Sequence, residues 1–522
     1  MQEGMRQLSL LFLTLCSFPL LFSQQIPAEQ GKSSPKKIKL IKADAIEYDV
    51  RLVKAQRVVG NVIFEHEGSR LFCDSAWLYE EENRLKAFGK VRINDPNGMS
   101  LTGNELDYDG NERLAEMRKD VMLYDGDMTL HTDLVQYKTE ERMASYFGGG
   151  EIISTKNQNV LTSKSGHYFA TDKVFHFKND VELKNPRYTM YTDTLHYHSY
   201  NEQAYFLGPT TIVSDENKIY CENGWYDTRR DRARFGEHAR IWTAEQILSS
   251  DSLYYDRSKG LGEAFRNVLI EDTINKIQIS GNYGRYMELK DESFVTGKAL
   301  MEQFFLKDTL TVHADTLRML PDSSDKRRIL AYHGVRMFKP DMQGVCDSLS
   351  YSEADSILQM FREPVLWSDE NQISGDLISL LVYEGHMERF YIPQKSFIIS
   401  EVDTAHYNQI KGRVMTGFFR ENELHMVSVE GNGECIYYAT EESGDSTGIA
   451  PVEIIGVNKG ACSNIKVYIK GRAIHRVNFL TKPDNKFYPL DKVAAEELIL
   501  KDFQWVEEKR PLSPEDLFRK SH

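Results

Sequence analysis

Apolar and polar residues alternate along most of this chain with a period of two. Val, Ile, Phe or Met occupies every second position in segments such as 60–64, 89–93 and 334–337, each of which opens with a Gly. Alternation of this kind is typical of a strand with one buried face. Turn-forming sequences, such as Asp-Pro-Asn-Gly at 95–98 and Asp-Gly-Asn-Glu at 109–112, separate the segments. The pattern predicts an all-β chain of short strands joined by tight turns.

A longer period is superimposed on the alternation. The motif Asp-x-x-x-Tyr recurs, as at Asp44 and Tyr48, with Asn or no acid in softer copies. The tyrosines of successive copies lie 29 or 31 residues apart, at Tyr48, Tyr79, Tyr108, Tyr137, Tyr168, Tyr197, Tyr226, Tyr255 and Tyr286. Such units cannot bury their apolar faces alone and must stack. Thirteen units from Asp44 to Tyr407 predict an elongated stack of two-strand repeats, at least ~60 Å long.

Four segments are predicted along the chain. Residues 1–23 combine Arg6 with an apolar run and have the layout of a cleaved signal peptide; an uncleaved anchor and lipidation of Cys16 are the alternatives. Residues 41–429 form the repeat domain, and residues 430–490 an irregular β extension with a hairpin. Residues 491–522 are predicted as a helical tail, with a helix over 491–508 and a short helical turn from Ser513.

Charge and cysteine content exclude two classes of protein. The net charge is −14, and Lys and Arg are scattered among acids, which excludes the clustered basic face that nucleic acid requires. Six cysteines are present, and Cys16 would leave with the signal peptide, so the remainder do not form a disulfide scaffold. Cys435 and Cys462 are either a bridge or two buried thiols.

The sequence lacks the common motifs of catalysis. The sequence contains no nucleophile elbow, phosphate-binding loop or His-Glu-x-x-His metal motif. His196 and His198 share a strand face, where they form either a metal-binding pair or a plain surface pair. The repeated Asp recurs at one structural position, which favours hydrogen bonding at turns and strand edges over catalysis. We therefore expect no enzyme activity, no catalytic residues, no metal and no cofactor.

The repeat residues resemble a known family. Ala-Asp-Ala-Ile-Glu-Tyr-Asp at 43–49, followed by Gly60-Asn61-Val62, is similar to the repeat of the LptA/OstA-like (organic-solvent-tolerance-like) proteins. The resemblance covers residues 41–429 and implies an open β-jellyroll with an apolar interior, which carries lipopolysaccharide across the periplasm of Gram-negative bacteria. The array is longer than the compact bridge protein of that family, and residues 431–522 match nothing in its pattern.

Lipid carriage requires an apolar groove, and the alternation predicts which residues line it. The candidates are Val62, Phe64, Val91, Ile93, Val121, Leu123, Val181, Leu183, Val268, Ile270, Val335, Met337, Val365 and Trp367. Periodicity does not distinguish a groove held open from a closed, filled core, so both interpretations stand at this point.

The resemblance also implies partners and a location. We expect a periplasmic protein that binds lipopolysaccharide or its lipid A part. Sheet edges would dock inner- and outer-membrane lipopolysaccharide-transport proteins and join copies head to tail. The alternatives are a β-solenoid scaffold or adhesin without lipid cargo and, less favoured, a polysaccharide-acting enzyme. That enzyme would need a cluster of acids and cations breaking the repeat.

Overall fold

A computed structural model describes residues 36–48, 55–126, 128–156, 158–323, 326–383, 385–441, 453–470 and 473–519. The predicted signal peptide lies outside these residues. The described residues contain one antiparallel sheet of 36 strands, which confirms the all-β prediction. The first third comprises β1 (Lys39–Lys42), β2 (Ala45–Tyr48), β3 (Gln56–His66), β4 (Ser69–Tyr79), β5 (Arg84–Asn94), β6 (Ser100–Asp109), β7 (Leu114–Asp125), β8 (Met128–Lys138), β9 (Met143–Tyr146), β10 (Gly150–Ser154), β11 (Asn159–Ser163) and β12 (Ser165–Phe169).

The remaining strands follow in chain order. The middle third comprises β13 (Val174–Asn185), β14 (Tyr188–His198), β15 (Gln203–Val213), β16 (Lys218–Asp227), β17 (Arg232–Trp242), β18 (Gln246–Asp256), β19 (Leu261–Asp272), β20 (Ile277–Met287), β21 (Glu292–Phe304), β22 (Thr309–Pro321), β23 (Arg327–Lys339) and β24 (Met342–Ser352). The last third comprises β25 (Ile357–Phe361), β26 (Val365–Ser368), β27 (Asn371–Ser374), β28 (Leu377–Tyr383), β29 (His386–Ile392), β30 (Ser396–Glu401), β31 (Tyr407–Gly412), β32 (Val414–Arg420), β33 (Glu423–Glu441), β34 (Glu453–Lys470), β35 (Ala473–Leu480) and β36 (Asp484–Tyr488).

Each repeat unit is a pair of hairpin-connected strands. Strands β3 to β8 pair in sequence order, and so do β13 to β24. Where a strand is interrupted, two short strands replace it, as β9 and β10 do beside β8. This is the predicted strand-turn-strand-turn unit.

A corner divides most strands into two halves. In β3, Gly60 and Asn61 have positive φ and together stand opposite Asp74 of β4, a bulge that bends the strand. A Cβ on Gly60 would collide with Asp44, so glycine is required there for space as well as for its φ of 84°. The repeated acid lies at this corner, where Asn61 Nδ2 donates to Asp44 Oδ2 at 2.8 Å. The corner explains why a Gly, Asn or Asp opens each apolar segment.

The two strand halves build two facing walls. One half carries the repeat tyrosines and forms the tyrosine wall, and the other carries Val, Ile and Leu and forms the aliphatic wall. Buried residues of both walls share one core cluster from Ile38 to Val268 and a second from Ile279 to Val467. Ile270 packs against both clusters. The core therefore continues along the stack between the walls.

The predicted C-terminal helix is wrong. Residues 491–508 contain three short 3-10 turns, Leu490–Lys492, Ala495–Leu498 and Glu507–Lys509, with extended chain between them. The predicted last helical turn is present as Pro514–Phe518. Residues 490–519, here called the strap, run back over the outer face of the aliphatic wall. The strap is extended because the sheet, and not the next helical turn, supplies partners for its backbone.

Glutamines of the sheet hold the strap. Gln409 Nε2 donates to the Leu498 carbonyl at 2.9 Å, and its Oε1 accepts from the Leu500 N–H at 2.8 Å. Gln372 repeats this pairing with the carbonyl of residue 504 and the N–H of Val506. A third core cluster, which includes Phe397 and Leu500, is buried under the strap.

The C-terminal strands continue the sheet without a break. Residues 429 and 430 both lie in β33, which pairs with β34, and β34 pairs with β35. The division into segments 41–429, 430–490 and 491–522 stays a prediction. Cys435 and Cys462, on β33 and β34, are buried free thiols.

Candidate functional site

A single row of apolar residues follows the inner face of the aliphatic wall. The register places one residue per strand in this row: Phe64, Leu71, Ile93, Leu101, Leu123, Leu130, Ile152, Leu161, Leu183, Met190, Ile212, Ile219, Ile241, Leu248, Ile270, Ile279, Met301, Val312, Met337, Gly344, Leu366, Ile373, Ile398 and Ile410. None of these residues is polar. At about 4.8 Å per strand, the row is on the order of 100 Å long.

The facing row, on the tyrosine wall, alternates large and small residues except at Phe175, which lies between Tyr168 and Tyr197. Its central part reads Tyr108, Ala115, Tyr137, Ala144, Tyr168, Phe175, Tyr197, Ala204, Tyr226, Ala233, Tyr255, Gly262 and Tyr286. A small neighbour leaves space for each ring to lie along the wall. From Tyr108 to Tyr286 the tyrosine that defines the repeat in sequence is therefore an inward residue. Tyr79 is an exception, because it pairs with Arg84 on the outer face and Leu78 takes the inward position.

Twelve of the fourteen predicted groove residues lie in this interior, because they belong to or pack against the two long core clusters. Val365 and Trp367 do not. In β26 the inward residue is Leu366, which pairs with Gly344 and Ile373. Trp367 is fully buried on the opposite face, level with Gln372, which holds the strap. The prediction that these two residues face inward is corrected.

A proline occupies the first inward position after the corner that precedes β26. The corner residues Arg362 and Glu363 have positive φ, and buried Pro364 follows them. At the other corners the first inward position is taken by a residue such as Val62. Here Pro364 takes it, so Val365 and Trp367 fall on the outer face.

The interior is closed in the N-terminal part and open in the middle. Phe64, Leu101 and Leu123 are at most 2% exposed, and the cavity that Phe64 helps to line holds only about 20 Å³, room for about one water molecule. Between β15 and β19, in contrast, the row residues are half-buried: Ile212, Ile219, Ile241, Leu248 and Ile270. The middle of the apolar row therefore contacts solvent.

The free ends of the two walls meet along a line opposite the corners, here called the mouth. Three consecutive tyrosines bond across it. The Tyr137 hydroxyl donates to Asp95 Oδ2 at 3.2 Å, and the Tyr168 hydroxyl donates to Asp125. Tyr108 lies 2.6 Å from Nδ1 of buried His66.

Cations reinforce these bonds. Arg113 pairs with Glu67 at 2.9 Å, Arg142 with Asp95 at 3.3 Å and Lys173 with Asp125 at 3.7 Å. These residues, with the three tyrosines and His66, are called the latch. The latch joins the two walls across the mouth and accounts for the closed N-terminal interior.

A protein-family model described as "OstA-like protein" matches residues 35–193 and 181–251. Residues 35–251, here called the OstA-like region, are therefore similar to this family. Among solved structures, the chain is similar to LptH of Pseudomonas aeruginosa, described as the LptA-homologous periplasmic component of its lipopolysaccharide transport device. The two are 14% identical over 19% of this chain and 77% of that one, with a TM-score of 0.19, and the likeness carries no argument here. No curated protein matches the chain.

The whole latch lies within the OstA-like region. Sequence reasoning missed its cations, although a signal was present: Arg113, Arg142 and Lys173 each follow a repeat tyrosine by five residues. All three have positive φ in the turns at the mouth. Their spacing of 29 and 31 residues repeats the tyrosine spacing.

Two histidines of the OstA-like region, His176 and His196, form a stack on the outer face. The rings of His176 and His196 lie 3.9 Å apart and nearly parallel, and burial lowers the pKa of both. Among the residues that the structure describes, no three His, Cys, Asp or Glu side chains are placed to hold a metal ion. No helix within these residues has the length and apolar character to cross a membrane.

Raising the pH is expected to destabilise the OstA-like region. Burial raises the pKa of Tyr108 and Tyr146 to about 12, against about 10 in an unfolded chain. Because the folded state holds these protons more tightly, their contribution to stability is complete below pH ~10 and is lost between ~10 and ~12. Thermal melts with tyrosinate absorbance will show a melting temperature that falls above pH ~10 as ionisation accompanies unfolding. Ionisation of all 27 tyrosines near pH 10 without unfolding would contradict this.

Proposed function

We propose that this chain is a periplasmic component of lipopolysaccharide transport that binds the acyl chains of its cargo between the two walls and passes it toward the outer membrane. The observation that carries the proposal is the apolar row from Phe64 to Ile410, which contains no polar residue in any strand. A core that only stabilised the fold would not need an apolar residue at this same register position in every strand.

The physical need is clear. Each exposed CH₂ group costs about 0.8 kcal/mol in water, so a lipid with several acyl chains requires continuous cover to cross an aqueous space. A row without a charged or polar residue offers sites of similar binding free energy along its length. Cargo can therefore move along the row without being held strongly at any one site. The closed N-terminal section would have to part its walls for cargo to enter.

The match of residues 35–251 to the OstA-like family model supports the location and the route. The exposed ends of the stack supply the docking edges. At the N-terminal end, β1 and β2 are short, and Ile41, Ile46 and Tyr48 are more than half exposed. At the other end, Phe487 of β36 is 55% exposed. We infer that transport partners, or further copies head to tail, add strands at these ends.

Photo-crosslinking tests the proposal. A photoreactive residue replaces Val181 or Val268, both 1% exposed in the interior, and the chain is expressed in a Gram-negative cell and irradiated. Lipopolysaccharide adducts are expected at both positions. Glu182, adjacent to Val181 but on the outer face where it pairs with Lys184, is the matched control and should give none.

Adducts at the control position as well would indicate nonspecific surface labelling. If correctly folded protein gives no adducts at any inward position, the interior is a closed core. The chain would then be a β-solenoid scaffold without lipid cargo.

A further inference from the structure

The mouth changes character along the stack. Tyr226 and Tyr255 occupy the same repeat position as the latch tyrosines, but their hydroxyls donate to carboxylates of their own wall, Asp231 at 2.6 Å and Glu288 at 2.9 Å. Cross-wall pairing returns further on, where Arg327 pairs with Asp272 at 3.0 Å. Between these points the apolar row is half-buried. This stretch, from β15 to β19, is here called the side opening.

The tyrosine-wall side of the side opening is basic, whereas the aliphatic-wall turns that face it carry the exposed acids Asp215, Glu216 and Glu245. Two successive turns of the tyrosine wall carry Arg229 and Arg230, and then Arg257 and Lys259, all exposed. Arg230 pairs with Asp227 at 3.1 Å, and Lys259 lies 3.7 Å from Asp256. Both carboxylates are almost fully buried, which leaves the cations as the groups that face solvent.

The same turn is less basic in other repeats, because the latch turns at 110–113, 139–142 and 170–173 each combine one cation with one or two acids. It reads Glu-Glu-Glu-Asn at 80–83 and Ser-Tyr-Asn-Glu at 199–202, against Thr-Arg-Arg-Asp at 228–231 and Arg-Ser-Lys-Gly at 257–260. In a chain with a net charge of −14, these two net-positive turns therefore lie beside the stretch of mouth, between the latch and Arg327, where the apolar row of the described residues contacts solvent.

We propose that the side opening is an entry site for an anionic amphipath: its acyl chains pass between the walls onto Ile219, Ile241 and Leu248, and its anionic headgroup stays at the basic turns. Apolar residues beside exposed cations match a ligand with an apolar tail and an anionic head. A free anion would make no apolar contact with the isoleucines, and a neutral lipid would form no ion pair with the arginines. This inference rests on the proposed function, because the site opens onto the same interior row.

Purified full-length protein with a photoreactive residue at Ile241 or at Leu123 tests the site. Leu123 lies in the same row but in the latched section. After mixing with lipopolysaccharide, Ile241 should be labelled several-fold faster than Leu123. The double substitution Arg229→Glu/Lys259→Glu should slow labelling at Ile241 several-fold, because it reverses the charge of the two basic turns.

The matched control is Lys119→Glu/Lys395→Glu, which makes the same change of charge at exposed corner residues and should leave the rate unchanged. An excess of dodecyl phosphate should compete with labelling. Competition by inorganic phosphate alone would mean that the turns bind only an ion, and equal competition by neutral dodecyl maltoside would mean that charge is not recognised. Either result would overturn the proposal.

The outcomes separate this site from the proposed function. Labelling at Leu123 as fast as at Ile241, and insensitive to the charges of the two basic turns, would mean that cargo enters elsewhere, while lipid binding in the interior stands. Absence of labelling at both positions, together with none at Val181 and Val268, would overturn both.

Discussion

Truncation of the chain after Pro489 is expected to cause soluble oligomers or aggregation and an early unfolding transition of the C-terminal strands. The strap covers an apolar cluster on the outer face of the aliphatic wall that includes Phe397, Ile399 and Ile436. Without the strap, this cluster would be a large exposed apolar patch. Size-exclusion chromatography and thermal melting of the truncated chain provide the measurement.

Two neighbouring residues of the strap distinguish the effect of apolar burial from the effect of the strap being present at all. Leu500 is 6% exposed and belongs to the cluster, whereas Ile499 is 56% exposed. Leu500→Ala should cost about 2–5 kcal/mol of unfolding free energy, and Ile499→Ala less than about 0.5 kcal/mol. Equal, small effects of both substitutions, with a truncated chain that stays monomeric, would show that the strap adds nothing to the fold.

Removing one latch carboxylate is expected to have the second large effect. Asp95→Ala deprives the fully buried Tyr137 of its acceptor and Arg142 of its ion-pair partner. An unsatisfied buried hydroxyl costs about 1–3 kcal/mol. We expect a loss of this size in denaturant unfolding, with faster labelling of interior residues in the N-terminal section as the walls part.

Asp95 also accepts the N–H of Asn97 in its own turn, so a double-mutant cycle with Tyr137→Phe is needed to isolate the cross-wall bond. Asp107→Ala is the matched control. It removes an ion pair with Arg84 and Lys86 on the outer face, where the effect should stay below about 1 kcal/mol. If the Tyr137–Asp95 coupling energy is zero, the mouth is not held by the latch.

The interior residues could be predicted from sequence because backbone geometry fixes the side-chain alternation of a strand. Val62, Val181 and Val268 follow the corner residues at the same interval, and each is inward. The prediction failed at Trp367, where Pro364 takes the first inward position. The helix prediction for residues 491–508 failed because Leu498 and Leu500 have an apolar pattern that also suits an extended segment, and the glutamines that pair with it lie about 90 and 130 residues earlier.

By itself, the sequence determined the repeat length, the strand pairs and the recurrence of the acid at one structural position, since each follows from contacts within a unit or between adjacent units. Only the tertiary structure decided where the mouth is latched and where it is open. Tyr137 and Tyr226 are the same residue at the same repeat position, but one bonds to Asp95 across the mouth and the other to Asp231 on its own wall. That choice depends on which side chain the opposite wall presents, some forty residues away, and no local pattern encodes it.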